Sequence, residues 1–322
     1  MIRRQVLVAL ILGLACVSAP NFAQQPTKIP VVGVLVTNAP ANDPIFDVLR
    51  KGLRELGYEE GQNLSLKIVS AEGQLDRLPA LAAELVNQGV DVIIASNEVS
   101  TRVAQKATTK IPIVMAGYGY DPVSLGLIDN VRHPGGNITG VYSSTPDVEG
   151  KRLEVLKQAV PRVSYVAVLW DPAFGESGPS DLRHAADLLH VRLEFIEVHS
   201  GEDLRSAFQS AKRKGVGAAL LLWTPMFYVY RDRVAALALE TKLPTVSTHV
   251  ALGTLLSYGS DPGENMMRSA YYVDRLLKGA KPGELPVEQL TKLRLIVNLK
   301  TAKALGIKIP ESILVRADEV IQ

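Results

Sequence analysis

Residues with the chemistry to hold a small ligand occur where the apolar runs of this sequence end and loops begin. In the first half of the chain these residues are Thr37, Asn38, Ser96, Asn97, Gly117, Tyr118, Asp121 and Tyr142. In the second half they are Trp170, Asp171, Trp223 and Thr224. Hydroxyl, amide, carboxylate and indole groups can hydrogen-bond or stack on a small solute. We therefore treat this set as the candidate ligand-binding residues.

The two tryptophans of the chain both fall at the ends of predicted strands, and a proline follows each within two residues. One interpretation is that Trp170 and Trp223 are large apolar residues that finish buried strands. The other is that at least one of them forms a wall of a ligand cleft, with Tyr118, Tyr120 and Tyr142 on the opposite wall. Because aromatic residues make up only 6% of the chain, we favour the second interpretation for at least one tryptophan.

Two aspartates in this set, Asp121 and Asp171, directly precede prolines. This order is typical of a helix start, in which the carboxylate caps the first turn. The alternative is a carboxylate that receives the ammonium group of a ligand. Ser96 and Asn97 also precede a predicted helix, whose exposed N–H groups would attract a ligand carboxylate. A cation site and an anion site together would suit an amino acid.

Patterns typical of catalysis do not occur in this sequence. The five histidines include no pair at the spacing of a helical zinc site. The sequence also has no phosphate-binding Walker loop and no Gly-x-Ser-x-Gly nucleophile elbow. The carboxylates are spread over predicted helix faces, where solvated ion pairs are the usual role. We therefore predict no catalytic residues, no metal and no cofactor.

The apolar runs predict the elements that must position the candidate residues. A β-branched run over 31–36 is followed by a helical pattern over 43–56, which Gly57 ends. The same alternation of strand and helix repeats up to a strand at 138–141, and a second series of similar size follows. Nearly continuous apolar strands joined by helices are typical of parallel sheets covered on both faces. In such sheets, ligands bind beyond the carboxyl ends of the strands.

The end of the chain predicts that it passes several times between two lobes. After the second series, one more strand, a helix and another strand remain before the last helix. The simplest arrangement assigns 29–142 plus about 258–287 to lobe one, and 143–257 plus about 288–322 to lobe two. We therefore predict an α/β fold of two Rossmann-like, doubly wound lobes joined by a three-crossover hinge. A hinge of this kind lets two lobes close over a ligand.

The first residues are typical of a secretion signal. Two arginines precede an unbroken apolar run over 6–17, and small residues and a proline follow it. A helix that spans a bilayer needs about 20 apolar residues, so this run predicts a signal peptide over 1–23, cleaved after Ala23. The mature protein would then be periplasmic. Lipidation of Cys16 is an alternative, but the residues before it make a poor lipobox.

Charge and cysteine content exclude several classes of binding partner and of chemistry. The predicted signal contains two of the 35 basic residues and none of the 33 acidic ones, so the remainder carries 33 of each. A neutral chain without basic blocks argues against nucleic acid and anionic membranes as partners. Because Cys16 is the only cysteine, its removal also excludes disulfides and thiolate chemistry in the mature chain.

Several segments resemble one protein family. The segments are 52–64 (GLRELGYEEGQNL), 71–86 (AEGQLDRLPALAAELV), 107–115 (ATTKIPIVM), 132–140 (RHPGGNITG), 276–282 (LLKGAKP) and 298–306 (NLKTAKALG). Together they resemble ABC transporter substrate-binding proteins of the tryptophan/tyrosine type. The resemblance implies a type I periplasmic binding protein fold, with two Rossmann-like lobes, three crossovers and a ligand in the cleft between them.

These observations predict a binding protein and not an enzyme. We expect a monomer that captures a small solute, such as an aromatic or other amino acid, and delivers it to an ABC permease in the inner membrane. A periplasmic sensing module that docks on a receptor would use the same cleft and is an alternative. A two-lobed enzyme such as a glycosyl transferase would need a catalytic base or phosphate contacts, which the sequence lacks.

Overall fold

The computed structural model describes residues 28–118, 120–143, 148–172, 180–248 and 253–322. The predicted signal peptide over 1–23, its cleavage after Ala23 and the lipidation of Cys16 lie outside these residues. Within the described ranges, no helix combines the length and the apolar character that crossing a membrane requires.

The first lobe is built on a parallel sheet that has six strands among the described residues, in the order β11-β5-β4-β3-β1-β2. Its strands are β1 (Val31–Val36), β2 (Ser65–Ser70), β3 (Val92–Ala95), β4 (Ile113–Tyr118), β5 (Ile138–Ser143) and β11 (Glu288–Gln289). Its helices are α1 (Ile45–Glu55), α2 (Leu78–Asn87), α3 (Glu98–Ala107) and α9 (Pro262–Leu277).

The second lobe is built on a sheet that has seven strands in the described part of the chain, in the order β13-β12-β10-β9-β8-β6-β7. Its strands are β6 (Tyr165–Trp170), β7 (Arg192–Glu197), β8 (Ala218–Leu221), β9 (Thr245–Ser247), β10 (Leu256–Gly259), β12 (Arg294–Asn298) and β13 (Glu319–Ile321). Its helices are α4 (Val148–Ala159), α5 (Ser180–Leu188), α6 (Asp203–Arg213), α7 (Pro225–Val229), α8 (Arg231–Thr241), α10 (Leu299–Leu305) and α11 (Glu311–Leu314).

Both sheets are covered by helices on their two faces. In β1, Val34 packs into a core with α1 and α9, whereas its neighbour Leu35 packs into a separate core with α2 and α3. In β6, Val168 and Leu169 divide in the same way between the two faces of the second sheet. Successive side chains of a strand point to opposite faces, so alternating apolar residues bury both. The predicted class, two doubly wound α/β lobes, is confirmed.

The chain passes between the lobes three times: between β5 and α4, between β10 and α9, and between β11 and β12. Helix α9 therefore returns from the second lobe and packs along α1 of the first. The two helices approach closely at Gly52, where an added Cβ would lie 2.9 Å from the Ala270 Cβ. A side chain at this position would force the helices apart, so the glycine fixes how α9 docks on the first lobe.

The direction of β12 decides which residues reach the gap between the lobes. β12 pairs with β10 in the antiparallel sense, with Arg294 opposite Gly259, and β13 is parallel to β12. The amino ends of these two strands therefore lie at the same sheet edge as the carboxyl ends of the others. Arg294 and Glu319, the first residues of β12 and β13, are brought to that edge.

Candidate functional site

A cavity of about 390 Å³ lies between the two lobes at the carboxyl ends of the strands. The first lobe and α9 contribute Asn38, Ile45, Phe46, Ser96, Asn97, Asn265 and Met266 to its wall. The second lobe contributes Trp223, Tyr228, Thr248, Arg294, Ile296 and Glu319, and the crossover before α9 contributes Asp261. Most of the surface that these residues expose to the cavity is apolar, and polar groups interrupt it, which is the usual character of a small-molecule site.

Asn97 fixes the amino end of α3 at the edge of the cavity. Its side chain oxygen accepts a hydrogen bond from the backbone N–H of Ser100 at 3.0 Å, and the Ser100 hydroxyl accepts one from the Asn97 N–H at 3.0 Å. The buried hydroxyl of Thr37 donates to the same Asn97 oxygen at 2.9 Å. These bonds hold the helix start rigidly, with its partial positive charge near the cavity.

Aromatic residues of the second lobe line the opposite side. Trp223 lies two residues beyond β8, and the Thr224 hydroxyl caps α7 by accepting a hydrogen bond from the Met226 N–H at 3.1 Å. One turn into this short helix, Tyr228 also reaches the cavity wall, as does the buried Phe46 of the first lobe. An apolar or aromatic ligand group would therefore find ring surfaces on both sides.

Tyr228 also joins the two lobes. Its hydroxyl donates to the Asp43 Oδ1 at 3.0 Å, and the Arg231 Nη2 lies 3.7 Å from the Asp43 Oδ2. Asp43 is only 3% exposed and precedes α1. Burial, followed by the charge and hydrogen bond of Asp43, raises the pKa of Tyr228 to about 12. The hydroxyl therefore stays protonated and can donate at neutral pH.

Arg294 stands between two carboxylates in the cavity wall. Its guanidinium donates to the Asp261 Oδ2 at 2.8 Å and to the Glu319 Oε2 at 3.1 Å. Partial burial lowers the pKa of Arg294, but the hydrogen bond and charge of Asp261 and the charge of Glu319 outweigh this and raise it overall. Among the described wall residues, two carboxylates thus face one cationic group, so this end of the cavity has a net negative charge.

Asn265 of α9 is a buried polar residue in the same wall. Its Nδ2 donates to the backbone carbonyl of Gly117 at the end of β4. The amide orientation is therefore set, because a flipped amide would place its oxygen against the Gly117 oxygen. The Oδ1 is buried and has no hydrogen-bond partner in the described protein, and the same is true of the Thr248 Oγ1.

The other candidate residues of the first lobe lie near the cavity but outside its described wall. Gly117 holds Asn265 through its carbonyl group, and the buried Tyr142 packs beside it, since a Cβ added to Gly117 would lie 3.0 Å from that of Tyr142. Tyr118 ends β4 and pairs with β5. Asp121 is exposed, and its Oδ1 accepts a bond from the Val123 N–H at 3.0 Å in a turn that does not continue as a helix.

In the second lobe, Trp170 and Asp171 are also outside the described wall. Trp170 is the last residue of β6 and is 8% exposed, with an indole N–H that has no partner in the described protein. Asp171 follows it and is equally buried. Of the twelve candidates, the structure brings Asn38, Ser96, Asn97 and Trp223 together around the cavity.

Wall residues absent from the sequence-based set include Tyr228, Asn265, Arg294 and Glu319. Tyr228 and Asn265 lie inside helices, where a sequence gives no sign that one turn faces a cleft. Arg294 and Glu319 begin strands, whereas the candidate residues all lie at or after the carboxyl ends of strands. The Thr224-Pro225 helix start, which places Tyr228 one turn after Trp223, is the signal that could have found Tyr228.

The described residues contain no group of three or more His, Cys, Asp or Glu side chains placed to hold a metal ion. Two α/β lobes around a cavity of this size and polarity define a two-lobed solute-binding protein. The comparison with known families agrees, since the model of the ABC transporter substrate binding protein family matches residues 28–321. The chain belongs to this family.

Individual relatives are similar over most of their length. The Tyrosine-binding protein of Clostridioides difficile (strain R20291) is 27% identical over 278 residues, which are 82% of this chain and 78% of that protein. A solved ABC domain in complex with L-Trp, from Streptococcus pneumonia, is 26% identical, with a TM-score of 0.77 over 91% of this chain and 99% of its own. A conserved domain protein from Vibrio cholerae O1 biovar eltor is also 26% identical, with a TM-score of 0.77 over 91% of this chain and 100% of its own.

Proposed function

We propose that the chain is the extracytoplasmic substrate-binding component of an ABC importer and that its cavity takes an amino acid with an aromatic side chain. The observation that carries this proposal is the cavity of about 390 Å³ between the lobes, with Trp223, Tyr228 and Phe46 in its wall. This volume suits one small ligand and not a peptide. Family members that resemble the chain include a tyrosine-binding protein and a domain bound to L-Trp.

The ligand would lie with its two charged groups at different parts of the wall. Its carboxylate would face the amino end of α3, where Ser96 and the capping residue Asn97 line the cavity. Its ammonium group would face the negatively charged end, and its ring would pack on Trp223. In this arrangement three candidate residues act indirectly. Thr37 positions Asn97, Gly117 positions Asn265, and Thr224 positions α7.

Closure of the lobes would complete the site. We assign residues 29–143 and about 262–289 to one lobe and about 148–259 and 294–322 to the other, with the three crossovers as the hinge. A monomer closed on its ligand would dock on the permease. Export by a signal over 1–23 would place the protein in the periplasm, and the apolar run at 6–17 and the family support that location.

Ligand titration of the chain that begins after Ala23 tests this function. Isothermal titration should give saturable binding for L-tryptophan or L-tyrosine and weaker binding for aliphatic amino acids of similar charge. Replacing the other tryptophan, Trp170→Phe, leaves Trp223 as the only indole, so its fluorescence should respond to L-tyrosine. Absence of saturable heat across all twenty amino acids would refute the proposal.

A further inference from the structure

The cavity wall contains a hydrogen-bond acceptor that the protein leaves unused. Asn265 is 2% exposed and lines the cavity, and its Oδ1 has no partner in the described protein. A buried acceptor without a donor is destabilising, so such atoms are rare in folded proteins. Because the Nδ2 is held by the Gly117 carbonyl, rotation of the amide cannot relieve this. Because Asn265 lines the cavity, a donor on a molecule bound there could satisfy this acceptor.

The charge around Asn265 indicates what kind of donor would bind there. Asp261 precedes Asn265 by four residues at the start of α9, and residues at this spacing are neighbours on one helix face. Both line the cavity. Glu319 adds a second carboxylate to the described wall, against the single guanidinium of Arg294. An excess of negative charge favours a cationic donor over a neutral hydroxyl or amide.

We propose that Asn265 is the residue that selects ligands with a protonated amine, by accepting a hydrogen bond from the ligand ammonium at its Oδ1. This assignment rests on the proposed function and adds to it the position of the ammonium group. It places that group at the first turn of α9. The aspartates that the sequence suggested for this role, Asp121 and Asp171, lie outside the described wall of the cavity.

The test compares an amine-containing ligand with a matched ligand that lacks the amine. L-Tryptophan and indole-3-propionate share the ring and the carboxylate and differ in the ammonium group. Asn265→Leu has a similar size and no acceptor, and it should weaken L-tryptophan binding about 10- to 150-fold, the range for hydrogen bonds to charged groups. Binding of indole-3-propionate should change by no more than about threefold, which is within the spread of such contacts.

Asn137→Leu is the matched control variant. The Asn137 Nδ2 also donates to backbone carbonyls, those of Thr108 and Ile111 at 3.0 and 2.9 Å, but Asn137 is outside the described cavity wall. It should reduce stability while leaving the affinity ratio of the two ligands unchanged. If Asn265→Leu does not fold, the wild-type protein can still refute the assignment, because an acceptor for the amine requires L-tryptophan to bind at least about tenfold more tightly than indole-3-propionate.

The outcomes separate the two proposals. Equal losses of affinity for both ligands in Asn265→Leu, or equal affinities in the wild-type protein, would overturn the assignment of Asn265 and leave the proposed function standing. Absence of binding to the wild-type protein by every amino acid would overturn both. A selective loss of affinity for L-tryptophan supports the assignment.

Discussion

Removal of a single hydroxyl group, in Tyr228→Phe, should weaken ligand binding by loosening the contact between the lobes. The hydroxyl donates to the Asp43 Oδ1 at 3.0 Å, and Asp43 is 3% exposed. A hydrogen bond to a buried charged group contributes about 1.5–3 kcal/mol. This bond joins the lobes in the closed form, so its loss shifts the closure equilibrium by about 10- to 150-fold. The ligand dissociation constant rises by at most this factor, and by less to the extent that the ligand-free protein is already closed.

Because Tyr228 also lines the cavity, a second substitution is needed to isolate the contact with Asp43. Asp43 is outside the described wall of that cavity. Asp43→Asn keeps an oxygen that can accept the bond from the Ile45 N–H, which is 3.0 Å long in the native protein, and removes the charge. In this background Tyr228→Phe should cost only the roughly 0.5–1.5 kcal/mol of a neutral hydrogen bond, so the two changes should be coupled by about 1 kcal/mol.

The wild-type protein, the two single variants and the double variant form a double-mutant cycle. Isothermal titration of these four proteins measures the coupling energy between Tyr228 and Asp43, and small-angle X-ray scattering of the ligand-free forms measures the separation of the lobes. Tyr228→Phe should increase the radius of gyration without ligand and leave the ligand-bound value unchanged. An unchanged scattering curve together with additive losses of affinity would refute the view that this contact holds the lobes together.

Three further predictions concern stability. Burial and Asp43 raise the pKa of Tyr228 to about 12, above its usual value near 10, so its stabilisation is complete below about pH 10 and is lost as the pH rises towards 12. Because solvent screens this partly exposed group, the fall in urea-unfolding free energy over this interval should be about 1 kcal/mol smaller in Tyr228→Phe, and an equal fall in both proteins would contradict the role of the hydroxyl. Gly52→Ala places a Cβ 2.9 Å from the Ala270 Cβ and should lower the free energy of unfolding by about 1–3 kcal/mol in the same assay. Gly136→Ala, whose added Cβ would have no atom within 4 Å, should have little effect. Equal losses of stability in the two variants would contradict close packing of α1 and α9. Asn97→Ala should lower the free energy of unfolding by about 1–2 kcal/mol, because the cap of α3 and the hydrogen bond from Thr37 are lost. Asn97→Ser retains a capping oxygen and should recover most of this stability; if it does not, capping is not the cause of the loss.

The fold followed from sequence because its signals are local. The apolar residues of β1 and the helical periodicity of α1 can be recognised within a few residues of sequence. Gly57 ends the α1 pattern because it adopts a left-handed backbone conformation, with φ of 88°. The capping of α3 by Asn97 is equally local. Such features repeat along both halves of the chain, and two series of them are sufficient to predict two doubly wound lobes.

The site was less predictable because it depends on contacts between distant parts of the chain. Arg294 reaches the cavity only because β12 runs antiparallel to β10, and the sequence of β12 does not indicate that direction. Asn265 reaches it because α9 returns to the first lobe and packs on α1. Trp223 was accessible to sequence reasoning, since it lies just beyond a strand and tryptophan is rare in this chain.

The docking of α9 on α1 also determines when the first lobe can be complete. Helix α9 ends at Leu277, so its residues leave the ribosome only after five strands of the second lobe, β6 to β10, have been synthesised. Until then the core that α9 shares with β1 and α1 is incomplete. Contacts between residues so distant along a chain form slowly. Under the export that we propose, this delay would keep the first lobe incomplete while the chain passes through a secretion channel.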